Sequence, residues 1–380
     1  MACVLAGTFG CSPAASPPPA PAAHDQGTGS NFLPGNQPPD PEALTGEGKL
    51  LSCAVRMPRE WHDLIEAGRL PKAHEDEVML VEAVSADARQ VFVKSTSGGH
   101  STLSVISDGR RREITRVPSP QQFYGSSFDG RWLTFGVGYD PGNQHLWTVH
   151  AWDSTGAEEP FLIGDNRAAQ RSPWFFSHTH DGKVAWVQGT GKADRPHGIH
   201  LYDLAARTDH VVAEGPVDGP VFFGDLLLWR ELDQRAGTGR FTGVSAVDGT
   251  PAVLPPPLRD SSPDWYAAAD ERTIAWVTRD PKTLYGWRDG WAEPKELAVI
   301  ERGVELPGIS FPELSGDLVA WTAKLTSVTD IRTGGTVRSE QPGFTMSVLG
   351  GGFVVSRVGN GGSAAPSVVP VTDLPPLPGC

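Results

Sequence analysis

Short bursts of alternating apolar and polar residues, bounded by Gly, Pro, Asp or Asn, recur from residue 77 to the end of the chain. A period of two is the pattern of a strand with one face buried. One recurring burst ends in Asp: "SVISDG" (Asp108), "TVHAWDSTG" (Asp153), "GIHLYD" (Asp203), "GVSAVDG" (Asp248), "YGWRDG" (Asp289), "SVTDIRTG" (Asp330) and "VVPVTDL" (Asp373). These aspartates stand 45, 50, 45, 41, 41 and 43 positions apart. Two positions before each lies an apolar side chain: Ile106, Ala151, Leu201, Ala246, Trp287, Val328 and Val371. The pattern is a strand running into a turn, where Asp accepts hydrogen bonds from the following amides and Gly supplies the positive φ of a tight hairpin.

Two further elements precede each Asp in phase. The nearer is a polar turn leading into a β-branched or aromatic strand, as in "FDGRWLTF" (128–135), "HDGKVAWV" (180–187), "DERTIAW" (270–276) and "SGDLVAW" (315–321). Before it comes a corner with Pro or Gly and then aromatics: "SPQQFY" (119–124), "SPWFF" (172–176), "GPVFF" (219–223), "SPDWY" (262–266). With a fourth strand after the Asp turn, each repeat makes a meander of about 44 residues. Sheets of this size bury both faces only when stacked around an axis. The expectation is an all-β, seven-bladed β-propeller of four-stranded antiparallel blades. A pair of β-sandwiches or a β-solenoid fits less well, because neither keeps three elements in phase over seven copies.

The last repeat ends at Cys380, too soon after Asp373 for an outer strand, and Pro375, Pro376 and Pro378 oppose one. Just before the first repeat stands "KLLSCAVRM" (49–57), an apolar stretch without a place in the pattern. It is the expected donor of the missing strand, an N-terminal strand closing the ring. Cys53 lies in that stretch and Cys380 ends the chain, so a Cys53–Cys380 disulfide across the closure is expected, which requires an oxidising compartment.

Charge and composition narrow the partners. The formal net charge of −13 argues against nucleic acid, and 44 Gly and 34 Pro suit a turn-rich fold. The triplet Arg110-Arg111-Arg112 reads as solvated hairpin charge. No apolar run is long enough to span a bilayer. The first residues, ending at Gly10-Cys11, resemble a bacterial lipoprotein signal, although a basic leader is absent and Thr8 and Phe9 depart from the usual pattern. That resemblance implies lipidation at Cys11. The expected organisation is a signal-like segment (1–11), a disordered Pro/Ala-rich linker (12–47) and a propeller (48–380).

The turns Asp129-Gly130-Arg131 and Asp181-Gly182-Lys183 resemble those of the TolB-like and WD40-like propellers of bacterial envelopes. The resemblance implies fold; the function of such proteins ranges from scaffolds and binding proteins to the propeller halves of peptidases. No G-x-S-x-G elbow occurs, and "SFDGRW" does not meet the sialidase Asp box. His178, His180, Asp181, His197 and His200 share one repeat, but the plainer reading is a polar turn, and no metal or cofactor is expected. Long polar loops between second and third strands should flank the corner aromatics at one mouth of the channel. Candidate ligand or partner residues there are Tyr124, Asp140, Trp174, Asp194, Arg195, Asp233, Arg235, Trp265, Asp280 and Lys282. The expected function is a monomeric, extracytoplasmic, lipid-anchored binding or scaffold protein that takes a protein or small-molecule ligand. The alternative is a small-molecule enzyme of lyase, lactonase or cyclotransferase type at the same mouth.

Overall fold

The computed structural model describes residues 50–74, 77–140, 145–168, 175–233, 238–278, 282–300, 309–323, 325–339, 344–359 and 362–380. Segment 1–11 with Cys11 and the linker 12–47 lie outside the described residues.

A strand, β1 (Leu50–Ala54), and a helix, α1 (Arg59–Ala67), come first. The repeats then give successive antiparallel groups among the described residues. Group 1 holds β2 (Val78–Val84), β3 (Gln90–Ser97), β4 (His100–Ser107) and β5 (Arg110–Pro118). Group 2 holds β6 (Gln122–Phe128), β7 (Trp132–Gly138), β8 (Trp147–Asp153) and β9 (Phe161–Asp165). Group 3 holds β10 (His178–His180), β11 (Lys183–Gly189), β12 (His197–Asp203) and β13 (Thr208–Gly215). Group 4 has β14 (Val217–Phe223), β15 (Leu226–Asp233) and β16 (Thr238–Ser245), followed by the short helix α2 (Pro256–Arg259). Group 5 holds β17 (Pro263–Ala269), β18 (Thr273–Thr278), β19 (Lys282–Arg288) and β20 (Lys295–Ile300). Group 6 holds β21 (Ser310–Ser315), β22 (Leu318–Thr322), β23 (Thr326–Asp330) and β24 (Gly335–Arg338). Group 7 has β25 (Phe344–Leu349), β26 (Gly352–Gly359) and β27 (Gly362–Pro370).

The repeated turns form as their chemistry requires. Asp108 and Gly109 both take positive φ (50° and 70°), as do Asp181 and Gly182 (45° and 72°). These are the conformations a two-residue hairpin needs. Asp129 Oδ1 accepts the amides of Arg131 and Trp132 at 2.9 and 2.7 Å, and the Oδ1 atoms of Asp248 and Asp330 accept the amides of Thr250 and Arg332 at 3.0 Å.

Apolar side chains pack between groups. Phe92 and Leu103 of group 1 meet Phe123 and Phe135 of group 2, and Trp132 and Val149 of group 2 meet Val184 and Trp186 of group 3. The same happens between groups 3 and 4, 4 and 5, 5 and 6, and 6 and 7. A further cluster joins Met79, Val91 and Ile106 of group 1 to Val354 and Val368 of group 7. Trp186, Trp229, Trp276 and Trp321, equivalent in the repeats, are all buried in these seams. A central strand such as β7 is buried at every position because both of its faces meet a neighbouring group.

Two expectations need correction. Among the described residues groups 4 and 7 have three strands, not four. After β16 the chain reads "TPAVLPPPLRD" and makes only a Val244–Pro251 bridge before turning into α2, since proline has no N–H for a ladder. The second correction concerns 49–57. β1 does not complete group 7. It runs antiparallel to β20 (Leu50 opposite Ile300) and parallel to β24 (Cys53 opposite Gly335), welding groups 5 and 6 into one nine-stranded sheet. Each of those outer strands has an open edge, and β1 satisfies both. The edge of β27 is instead met beyond α1: Arg69 pairs with Ser367, Leu70 N–H donates to Pro366 O and Val368 N–H to Gly68 O, both at 2.9 Å.

Cys53 and Cys380 do form a disulfide, with their Cα atoms 5.7 Å apart. The tail reaches it by passing under α1, where the Trp61 indole donates to Pro375 O at 2.8 Å, and along Asp330, whose Oδ2 accepts Leu377 N–H at 3.2 Å. No helix among the described residues is long and apolar enough to cross a membrane.

Candidate functional site

The end of β15, the start of β16 and the segment after α2 lie side by side, so a second-to-third-strand connection meets an entry to the next inner strand. Between them opens a groove of about 730 Å3 walled by Glu231, Asp233, Arg240, Arg259, Asp260 and Ser261, among others. Glu231 and Arg240 are cross-strand partners, and the Arg240 Nε and Nη2 donate to Glu231 Oε2 at 3.0 and 2.7 Å. Arg259 Nε donates to Asp260 Oδ1 at 2.9 Å, and that bond holds the Asp260 carboxyl below its ordinary range. A carboxylate held low in this way accepts hydrogen bonds and gives up no proton near neutrality. The groove is therefore a polar, charge-paired surface. Asp233 is the one described candidate that lines it.

Asp194 and Arg195 belong to the connection between β11 and β12. Thr190 Oγ1 donates to Arg195 O and accepts Lys192 N–H at 3.1 Å, so the loop is pinned by its own threonine. Arg195 Nη1 lies 3.0 Å from Glu214 on β13 and its Nε 3.6 Å from Asp194, while Lys192 reaches Glu214 at 3.2 Å. Lys192 first, and then Arg195, hold Glu214 below the usual carboxylate range. Both candidates are well exposed.

Tyr124 is half-buried. It packs edge-on against Phe175 (5.8 Å between ring centres) and over Gly138, and its phenolic oxygen is buried without a hydrogen-bond partner, which pushes its pKa up. Gly136 stands opposite Tyr124, and a side chain there would strike Phe175, while one at Gly138 would strike the tyrosine ring. The corner aromatic fills the seam between groups 2 and 3. Asp140 is exposed just beyond β7, and Lys282 opens β19 opposite Ile300. Neither lines the groove. Trp174, Arg235 and Asp280 lie outside the described residues, as does the side chain of Trp265. The histidines of the third repeat go to separate partners. His180 faces Glu271 at 3.5 Å, His197 Nδ1 lies 3.0 Å from Val217 O, and His200 bonds Asp209 at 2.8 Å. Among the described residues no three His, Cys, Asp or Glu side chains gather as a metal site.

The first strand breaks register in five of the groups, between Val81 and Ala83, Tyr124 and Ser127, Asp218 and Val221, Pro263 and Ala267, and Ser310 and Glu313. A bulge re-aims the side chains beside it. Glu82 sits in the first break, ion-paired to Lys94 at 2.9 Å and within 3.4 Å of Ser126 Oγ from the second. Asp218, at the third, pairs with Arg230 at 2.7 Å. Glu313 Oε2 accepts Val348 N–H at 3.1 Å, and burial lifts its pKa to about 7. Burial lowers His178 on β10 to about 4. The signal was present as an acid beside apolar residues, Glu82 in "EVMLVEAV" and Glu313 in "ISFPE".

No protein-family model matches the chain, and no curated protein sequence does. Solved structures do. A prolyl endopeptidase superposes with a TM-score of 0.51 at 13% identity over 84% of this chain, which spans 50% of that enzyme's length. The β-propeller domain of the Trilobed protease from Pyrococcus furiosus gives 0.50 at 10% identity, covering 74% of this chain and 92% of the other. An oligogalacturonate lyase in complex with manganese also gives 0.50 at 10% identity, covering 87% of this chain and all of its own. At these identities the likeness shows a β-propeller fold, the one the repeats predict, and says nothing of activity.

Proposed function

We propose that residues 48–380 form a seven-bladed propeller closed by the segment after α1, held outside the cytoplasm by a lipid on Cys11, and that it binds a partner through its mouth loops without catalysis. The observation that carries the binding role is the pairing at the groove. Glu231 with Arg240 and Asp260 with Arg259 offer fixed donors and acceptors, with the Asp260 carboxyl held low. Such a surface suits recognition of a polar partner better than acid–base chemistry. The Cys53–Cys380 disulfide supports an oxidising compartment.

Two measurements test this. In the native host the wild-type protein should sediment with membranes and the Cys11→Ser variant should not; a wild-type protein free of membranes overturns the anchor. Partners cross-linked to the purified propeller should be lost when Glu231 and Asp260 are both changed to Ala. Unchanged capture would move the binding surface elsewhere.

The enzyme alternative draws on Glu313, a half-buried carboxyl raised to about 7, of the kind that transfers protons. A lyase or lactonase activity removed by Glu313→Gln would favour it over pure binding.

A further inference from the structure

Strand alternation divides the triplet at the start of β5. Arg111 turns to one face, where its Nη1 lies 2.5 Å from Glu77 Oε1 and its Nη2 donates to Ser95 Oγ at 2.8 Å. Arg110 and Arg112 take the other face. There a crevice of about 270 Å3 is lined by Gln90, Ser107, Arg110, Arg112, Trp152 and Ser154, together with Val105.

Three features make the crevice unusual. Arg112 is held in place, its guanidinium 4.9 Å from the centre of the buried Trp152 ring. Neither Arg110 nor Arg112 makes an ion pair with a carboxylate among the described residues: Asp108, two positions before Arg110, is exposed in the turn, and other acids have partners. Glu113 pairs with Arg116 and Asp153 with Arg131, each at 2.6 Å, while Asp87 accepts the Ser85 hydroxyl at 2.7 Å. Finally, the side-chain oxygen of Gln90 is buried without a hydrogen-bond partner, and an unsatisfied buried polar atom calls for an explanation. An amide can turn to offer either a donor or an acceptor.

We propose that this crevice between groups 1 and 2 binds a small oxyanion, a phosphate group held by Arg110 and Arg112 with the hydroxyls of Ser107 and Ser154. Arginine forks match phosphate geometry and bind it by charge-assisted hydrogen bonds. The space admits a single head group, and the acidic remainder of the protein repels a polyanion. The site is independent of the mouth groove. Its phosphate can come from a soluble monoester or from the head group of an anionic lipid, and the chemistry is the same.

The test uses the full chain carrying Cys11→Ser, so that no lipid anchor contributes. Inorganic phosphate is titrated calorimetrically at constant ionic strength set with sodium chloride. Saturable one-to-one binding is expected, weakened roughly tenfold or more by Arg110→Gln or Arg112→Gln, the loss of one charge-assisted hydrogen bond. Arg116→Gln, on the same strand but paired to Glu113, should bind as the parent does. Arg110 is exposed, so its variant keeps the test valid even if removing the cover from Trp152 disturbs folding. Absence of saturable binding, or equal affinity in both variants and the parent, overturns the proposal. A second arm offers phosphatidylcholine vesicles with and without phosphatidic acid. Retention on the acidic vesicles that both variants lose assigns the site to lipid head groups; phosphate binding without such retention assigns it to soluble phosphates.

Discussion

Arg69 lies opposite Ser367 in an antiparallel bridge, so the open edge of the last strand group is covered by residues that follow α1. The contact is tight at its centre. A side chain at Gly68 would run into the carbonyl oxygen of Val368, whose amide already donates to Gly68 O. Gly68→Ala should therefore push the two segments apart and cost about 1–3 kcal/mol, as overpacked sites do. Urea unfolding checks this, with the midpoint falling at unchanged slope. An unshifted midpoint would mean that residues 68–70 contribute nothing to holding the β27 edge.

The disulfide ties down the tail, and its removal should act there. It closes a separation of 327 residues, for which chain entropy alone gives about 6 kcal/mol, and a realised ~2–4 kcal/mol is expected. Cys53→Ala, or reduction, should lower the melting temperature and expose residues 374–380 to carboxypeptidase. β1 should stay protected, since its ladders to β20 and β24 do not depend on the bond. Equal melting temperatures with and without reductant would show that the tail is held by Trp61 and Asp330 alone.

Replacing Asp194 and Arg195 together by Ala should leave stability within ~0.5 kcal/mol, because both are exposed and their pairs with each other and with Glu214 are surface ion pairs. Thermal unfolding measures it. A larger loss would assign the pair to holding the β11–β12 connection rather than to meeting a partner.

What the sequence made legible was whatever repeats. Asp turns, paired Gly residues and equivalent Trp residues recur because every group meets the same local problem, and period and turn chemistry expose them. The disulfide followed from one cysteine in the stretch before the first repeat and another at position 380. Position among the strand groups was harder to read. β1 looks like a generic apolar edge strand, and its choice between β27 and the pair β20 and β24 rests on which edges remain open, a property of the assembled sheets. The donor at 68–70 is only a short bridge and shows no strand pattern. Site residues suffered in the same way. Tyr124 looks like a mouth aromatic until Phe175, Gly136 and Gly138 close around it. Glu313 and His178 differ from surface groups only in burial, which depends on neighbours far away in sequence.

That burial should be measurable as two opposed pH dependences. The folded protein holds the Glu313 proton up to about pH 7, whereas an ordinary glutamate releases it near 4.5. Between those values the folded state binds more proton than the unfolded chain, so stability falls as pH rises, by up to ~3 kcal/mol. His178 does the reverse. Its folded value of about 4 against an ordinary 6.5 means that stability falls as pH drops through that interval, by a similar amount. In the wild type the two slopes offset between about pH 4.5 and 6.5. Glu313→Gln keeps an acceptor for Val348 N–H, and it should gain stability relative to wild type at pH 8 and decline on acidification below 6.5. His178→Asn should decline instead as pH rises from 4.5 to 7. Urea titrations across this range separate the two, and profiles parallel to wild type in both variants would mean that neither group is buried enough to matter.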